Sequence, residues 1–295
     1  MLFLSALVAG NNLPVCAGTV ISGRILRKRQ GIAIAALGYA SGFLIEGGFV
    51  RSGIYSIIYP IMGQVAISAL LVAAVIFVIA HLFKVPQSLS IILMASLLGA
   101  GIGHAASIRW AFAALLLLLW ALFALLSLLL PVLLMRLLRR RMLEGSIWYE
   151  LRGVKMLLIL LSFLAAFTLG ANTIGIIYAL IPSGATTALG IAIAVAAGSF
   201  LFSSGEIKTL GDEILPLRYL NAIVTQFTSV VFVEASTLIG MPLSNTQTFT
   251  AGLYGTALSY KSRLLLKKPT LLILATWTLT AFLSLAGGYI AVHIL

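Results

Sequence analysis

Long apolar runs separated by short polar interruptions fill almost the whole chain. Taken as stretches of roughly 20 apolar residues, the length that crosses a bilayer as a helix, they fall at 1–22, 31–47, 56–82, 86–106, 110–135, 153–182, 184–204, 219–240, 242–260 and 270–294. Four of these, 1–22, 86–106, 153–182 and 242–260, carry amide, hydroxyl or proline residues inside the apolar stretch, which predicts broken helices or re-entrant hairpins there. The interruptions come in matched pairs. Ala9-Gly10-Asn11-Asn12 is followed by Pro86-Gln87-Ser88-Leu89-Ser90, and Gly170-Ala171-Asn172-Thr173 is followed at nearly the same distance by Pro242-Leu243-Ser244-Asn245-Thr246-Gln247. A polar pattern repeated in corresponding segments of two halves points to an intramembrane binding site at a repeat interface.

Of 295 residues, 61% are hydrophobic and 9% charged, too few polar groups to cover a water-soluble domain, so the chain is a polytopic membrane protein. The net charge of +12 is accounted for by orientation, since basic residues collect in cytoplasmic loops, and it does not call for nucleic acid. If the first segment runs from outside to inside, Arg24, Arg27, Lys28, Arg29, Lys84, Arg136, Arg139, Arg140, Arg141, Arg152, Lys155, Lys208, Arg218, Lys261, Arg263, Lys267 and Lys268 all face the cytoplasm, and only Arg51 and Arg109 lie outside. Both termini are then outside the cell membrane. Five segments per half, an odd number, invert the second half relative to the first.

The expected architecture is an all-α polytopic membrane protein with two inverted-topology repeats of about five segments each. Residues 1–135 form one repeat, 136–152 a basic cytoplasmic linker able to meet anionic lipid head groups, and 153–295 the other. The segment 204–216, with Glu206, Asp212 and Glu213, reads as a cytoplasmic loop. The first ten residues lack the basic flank of a signal peptide and read as mature protein. The single cysteine, Cys16, excludes an internal disulfide and reads as a small packing residue.

The motifs suggest their chemistry. Small residues followed by asparagine let a buried helix unwind, and Pro14 favours a new helix start after the first motif. A helix N-terminus at mid-membrane carries partial positive charge and free N–H groups, which suits an anion. Each proline motif likewise places hydroxyls and amides at a helix start. Ordinary interhelical hydrogen bonding explains one such motif alone, whereas their pairing favours a donor-rich cage. The candidate substrate-binding residues are Asn11, Asn12, Asn172, Thr173, Ser88, Ser90, Ser244, Asn245 and Thr246.

These four motifs together resemble those of the inorganic phosphate transporter family, which has a Gly-Ala-Asn-Asp-type and a Pro-Val-Ser-Thr-Thr-His-type motif in each half. The resemblance covers nearly the whole chain in order. It implies secondary active transport of phosphate through a site near the centre of the membrane, coupled to sodium or protons; some relatives in the family are sulfate permeases. Where the family has its aspartates, this chain has Asn12 and Thr173. The family's histidine is replaced by Ile91 in the first half and by Gln247 in the second. A carboxylate ligates sodium and accepts the proton of phosphate, so the coupling ion, Na+ or H+, stays open. Fully ionised sulfate prefers a site of donors alone, so phosphate and sulfate both stand.

Glu234, inside an apolar span, is a coupling candidate by the rarity of ionisable groups there, and Gln247 is another. Glu46, before Gly47-Gly48, is expected at the outer surface, and His81, His104 and His293 at span ends. No His-Glu-x-x-His helix is present, and Ser183 and Ser204 have no histidine at matching depth to activate them, so an intramembrane enzyme is not expected. An anion channel built on the same helix termini is the alternative of another class. The pattern leaves the oligomeric state open, a homo-oligomer included.

Overall fold

The computed structural model describes residues 1–83, 87–141, 147–203, 219–259 and 267–295, the side chains of 14, 139–141, 147–151 and 267–274 excepted. Every extended element in the described residues is helical. The first half contains α1 (Leu2–Ser22), α2 (Lys28–Glu46), α3 (Val50–Ile57), α4 (Gly63–Phe83), α5 (Leu89–Gly103) and α6 (Trp110–Arg141). The second contains α7 (Ile147–Leu169), a π-helical turn (Gly170–Ile174), α8 (Gly175–Ala179), α9 (Ala185–Leu201), α10 (Tyr219–Leu238), α11 (Asn245–Ser259) and α12 (Lys267–Ile294). Lys84 and Pro86, the segment 204–216, Arg218, Lys261 and Arg263, and residues 142–146 of the basic linker lie outside the described residues.

Among the described residues, five helices have the length and apolar composition to cross a membrane. The α2–α3 pair makes a sixth, bent by 62° across Gly47-Gly48. At 1.5 Å per residue, α5 and α11 reach only about 22 Å, short of a hydrocarbon core about 30 Å thick. Both belong to hairpins. Helix α5 returns beside α4, and the open end is closed by an antiparallel bridge between Ile58 and Ile108. Helix α11 packs in the same way against α10. The interruptions at 87–88 and 242–244 therefore stand beside the turning points of re-entrant hairpins.

Two details differ from the pattern in the sequence. The stretch expected at 56–82 divides: α3 ends at Ile57, and α4 starts only at Gly63. More consequentially, α1 runs unbroken through Gly10, Asn11, Asn12 and Pro14. No new helix begins at Pro14. A helix buried among other helices tolerates such residues because its neighbours complete the freed backbone groups, and Asn11 spends its side-chain oxygen on another segment instead of on its own helix. The matching motif in the second half departs from the α-helix by the π turn alone.

Packing follows a pseudo-two-fold pattern at the level of single residues. Helix α1 packs on α9 and α2 on α7, so each half is completed by the other. A Cβ at Gly198 would overlap the Ala6 carbonyl oxygen, and one at Gly42 the Phe167 carbonyl oxygen. The hairpins repeat the arrangement: α5 lies on α12 and α11 on α6. There a Cβ at Gly99 would overlap the Leu285 carbonyl oxygen, and one at Gly255 the Leu128 carbonyl oxygen. Small residues that bring backbones together are the usual glue between helices in lipid. Helices α1, α2, α7 and α9 make a central scaffold; α4, α5 and α12 form one arm, and α6, α10 and α11 the other.

Candidate functional site

The two hairpin tips are tied to the scaffold by equivalent asparagines. The Asn11 side-chain oxygen accepts the backbone N–H of Gln87 (3.2 Å), and the Asn172 oxygen accepts that of Leu243 (2.9 Å). In each half the receiving residue is the one directly after the motif proline. Asn172 also donates to the Thr237 hydroxyl (3.0 Å) and to the Met241 carbonyl (3.1 Å), which Ser236 reinforces at 2.7 Å. The asparagines thus hold the hairpin tips in place from helices far away in sequence.

The serines after the prolines cap the returning helices. Ser88 Oγ accepts the Ile91 N–H (3.4 Å), and Ser244 Oγ accepts the Gln247 N–H (3.3 Å). A side-chain oxygen bonded to a first-turn N–H is the ordinary way a helix start is fixed. The Ser90 hydroxyl then donates to the Leu243 carbonyl (2.9 Å), joining the first turn of α5 to the tip before α11. The starts of two half-length helices therefore meet, each with first-turn N–H groups that have no partner inside the helix. Trp120 on α6 steadies the second tip through a 2.7 Å bond to the Pro242 carbonyl.

Asn245 and Thr246 adjoin this junction, in the first turn of α11. Asn245 accepts a hydrogen bond from Ser229 through its side-chain oxygen, while its amide nitrogen has no partner among the described residues. Ser229 is also 3.1 Å from the Thr248 hydroxyl, and Thr246 is 3.2 Å from the Ser244 hydroxyl. Asn12 is buried with its side chain directed at the Tyr39 hydroxyl, though no hydrogen bond of ordinary geometry joins them. Thr173 is buried within the π turn. Glu234 stands apart: its half-buried carboxyl faces Glu46 from the other half, and each keeps an oxygen without a partner among the described residues. Gln247 is half-buried, and its backbone N–H donates to the Ser244 hydroxyl.

Sequence reasoning passed over several polar residues that the structure brings close by. Asn221, Thr225 and Ser229 follow one another at four-residue spacing on α10, with Gln226 beside them, and all four are buried. Such spacing puts them along one side of a helix, a periodic signal that was available in the apolar stretch 219–240. Trp120 gave no such signal, because its role depends on the hairpin tip alone.

A helical membrane protein of two repeats with opposed re-entrant hairpins, their tips meeting at a donor-lined junction, has the architecture of a membrane transporter. Comparison with known proteins gives the family. The profile of the phosphate transporter family matches residues 8–152 and again 148–288, and the chain belongs to that family. A protein of Methanocaldococcus jannaschii that bears the name phosphate permease is 22% identical over 288 residues, covering 98% of this chain and 93% of the relative. A solved structure described as the sodium-dependent phosphate transporter has the same fold, with a TM-score of 0.87 over 99% of this chain and 96% of that one, at 16% identity.

Proposed function

We propose that this protein carries inorganic phosphate across the cell membrane as a secondary active transporter, by alternating access, with cation coupling. The observation that supports the reading is the junction of α5 and α11 at Ser90 and Leu243, where two helix starts are aimed into one buried polar region. Aligned backbone dipoles and first-turn N–H groups attract an anion there without requiring a basic side chain. Ser88, Ser90, Ser244, Asn245 and Thr246 line that region, Asn12 and Thr173 border it, and Asn11 and Asn172 act by holding the tips. Sodium is the first candidate for the coupling ion, as in the protein whose fold it shares; Glu234 facing Glu46 offers a place for a proton, with Gln247 a weaker candidate. The repeats are 1–135 and 153–295 with 136–152 as a cytoplasmic linker, and both termini face outward.

Sulfate permeation is a second reading, favoured by one specific feature: Asn12 and Thr173 put neutral side chains where a carboxylate would repel a fully ionised anion. Uptake of labelled phosphate and sulfate into proteoliposomes, with sodium and pH gradients imposed separately, tests both. Concentrative phosphate uptake driven by one gradient supports the transporter. Uptake of sulfate alone overturns the phosphate assignment, and flux that no cation gradient can drive uphill overturns the carrier in favour of a channel.

A further inference from the structure

Two imidazoles and a thioether that the anion junction does not use come together where α4 begins and where α5 and α12 end. The three helices pack on one another. Met62 directly precedes α4, His104 caps the end of α5, and His293 lies in the last turn of α12. His104 Nε2 is 2.8 Å from Met62 Sδ. Gln64, in the first turn of α4, draws the end of α12 to the same place by donating to the Val292 carbonyl at 3.2 Å. Gly103 lets α12 come close to the end of α5: a Cβ on it would lie 2.6 Å from Val292 Cγ1 and 2.9 Å from His293 Cε1. Neighbouring Cα atoms are about 3.8 Å apart, which puts the His293 ring within about 8 Å of the His104 Cα. An imidazole and two metal–nitrogen bonds of about 2 Å span that gap.

The hydrogen bonding leaves the ligating atoms available. His293 Nδ1 is 2.8 Å from the Tyr289 carbonyl oxygen, and the two rings lie 4.8 Å apart. A carbonyl only accepts, so Nδ1 carries the proton and Nε2 keeps its lone pair. A backbone carbonyl on the second nitrogen is how ligating histidines are ordinarily oriented. Met62 is 48% exposed, on an unbranched chain free to turn its sulfur toward an ion. The ligand types then select the metal. Calcium and magnesium need several oxygens. Zinc is ordinarily completed by thiolate, carboxylate or further imidazole, and no carboxylate, thiol or third histidine makes a set of three with these two among the described residues. A soft thioether beside imidazoles suits copper(I). We infer that Met62, His104 and His293 form a binding site for a copper(I) ion. The site lies at the far end of α5 from the anion junction, about 22 Å along the helix, and ties the open end of the first hairpin to α12. It goes beyond the transporter reading and does not rest on it.

The test titrates the purified full chain, free of any histidine tag, on a Cys16→Ser background that removes the one thiol. Copper(I), kept reduced by ascorbate, is offered in competition with the chelator bicinchoninate. One equivalent should bind, and an excess of zinc(II) should not displace it. Met62→Leu keeps the apolar side chain and removes the sulfur. It should weaken copper(I) binding by more than the roughly tenfold that loss of an outer-shell partner costs. His293→Gln should do the same, and it serves alone if the Met62 variant does not fold. His81→Gln, at the opposite end of α4, should bind copper(I) as the parent does. No binding, or unaltered affinity in Met62→Leu and His293→Gln, overturns the site. Displacement by zinc(II) overturns the assignment to copper(I). Phosphate does not enter the assay, so its outcome and that of phosphate uptake are read separately.

Discussion

Replacing Asn172 by alanine isolates the tie between scaffold and hairpin. Three bonds are lost at once: the acceptor bond to the Leu243 N–H and the donor bonds to Thr237 and Met241. Two of the three former partners keep another bond. The Met241 carbonyl still accepts from Ser236, and the Thr237 hydroxyl still donates to the Val233 carbonyl at 2.8 Å. The Leu243 N–H has no second partner among the described residues. A buried N–H left alone costs about 1–3 kcal/mol, and at 1.4 kcal/mol per tenfold the seated tip loses about 5- to 150-fold in occupancy. Initial phosphate uptake per reconstituted molecule should fall by at least about fivefold, while membrane insertion and the size-exclusion profile stay normal. Asn11→Ala should behave alike through Gln87. Unchanged uptake in both variants would refute the view that the asparagines position the site.

Other changes probe the same construction. Ser244→Ala removes the cap of α11 at the Gln247 N–H and should lower Tm by an amount equivalent to about 1 kcal/mol, with a larger proportional effect on anion affinity than on insertion; unaltered phosphate KM would argue against the α11 start as a binding element. Gly99→Ala and Gly255→Ala each drive a methyl group into a carbonyl of the facing helix, so both should reduce the yield of folded protein, and normal thermal melts would contradict the packing. On a Cys16→Ser background, cysteines at Ser52 and at Arg29 should label with an impermeant thiol reagent from opposite sides of the membrane, Ser52 from outside; labelling of Ser52 from inside would reverse the proposed orientation.

Much of this was legible in the chain. Apolar length located the helices, and the paired proline motifs located the hairpin tips, because proline and hydroxyl residues act on the backbone within a few positions of themselves. The asparagine motifs were legible as polar interruptions, but what their side chains hold was not. Whether Asn11 unwinds its own helix or braces Gln87 depends on a partner 76 residues away, and local pattern carries no information about that distance. The same applies to Glu234, whose neighbour Glu46 comes from the other half. The π turn at Gly170–Ile174, set against the unbroken α1, shows the same residue types giving different backbones in different surroundings. The polar row on α10 was present in the spacing of Asn221, Thr225 and Ser229, and it stayed hidden only because the overall apolarity of the stretch dominated its reading.

The exchange of partners between halves, α1 with α9 and α2 with α7, also bears on how the protein is made. While the ribosome has delivered only the first half, the glycine seam of α2 at Gly38 and Gly42 has no opposite surface, since Phe163, Ala166 and Phe167 have yet to be synthesised. The faces of α1 and α2 that meet α9 and α7 must wait in the bilayer uncovered until those helices arrive. The central scaffold can therefore close only late in synthesis, after α9 has been made.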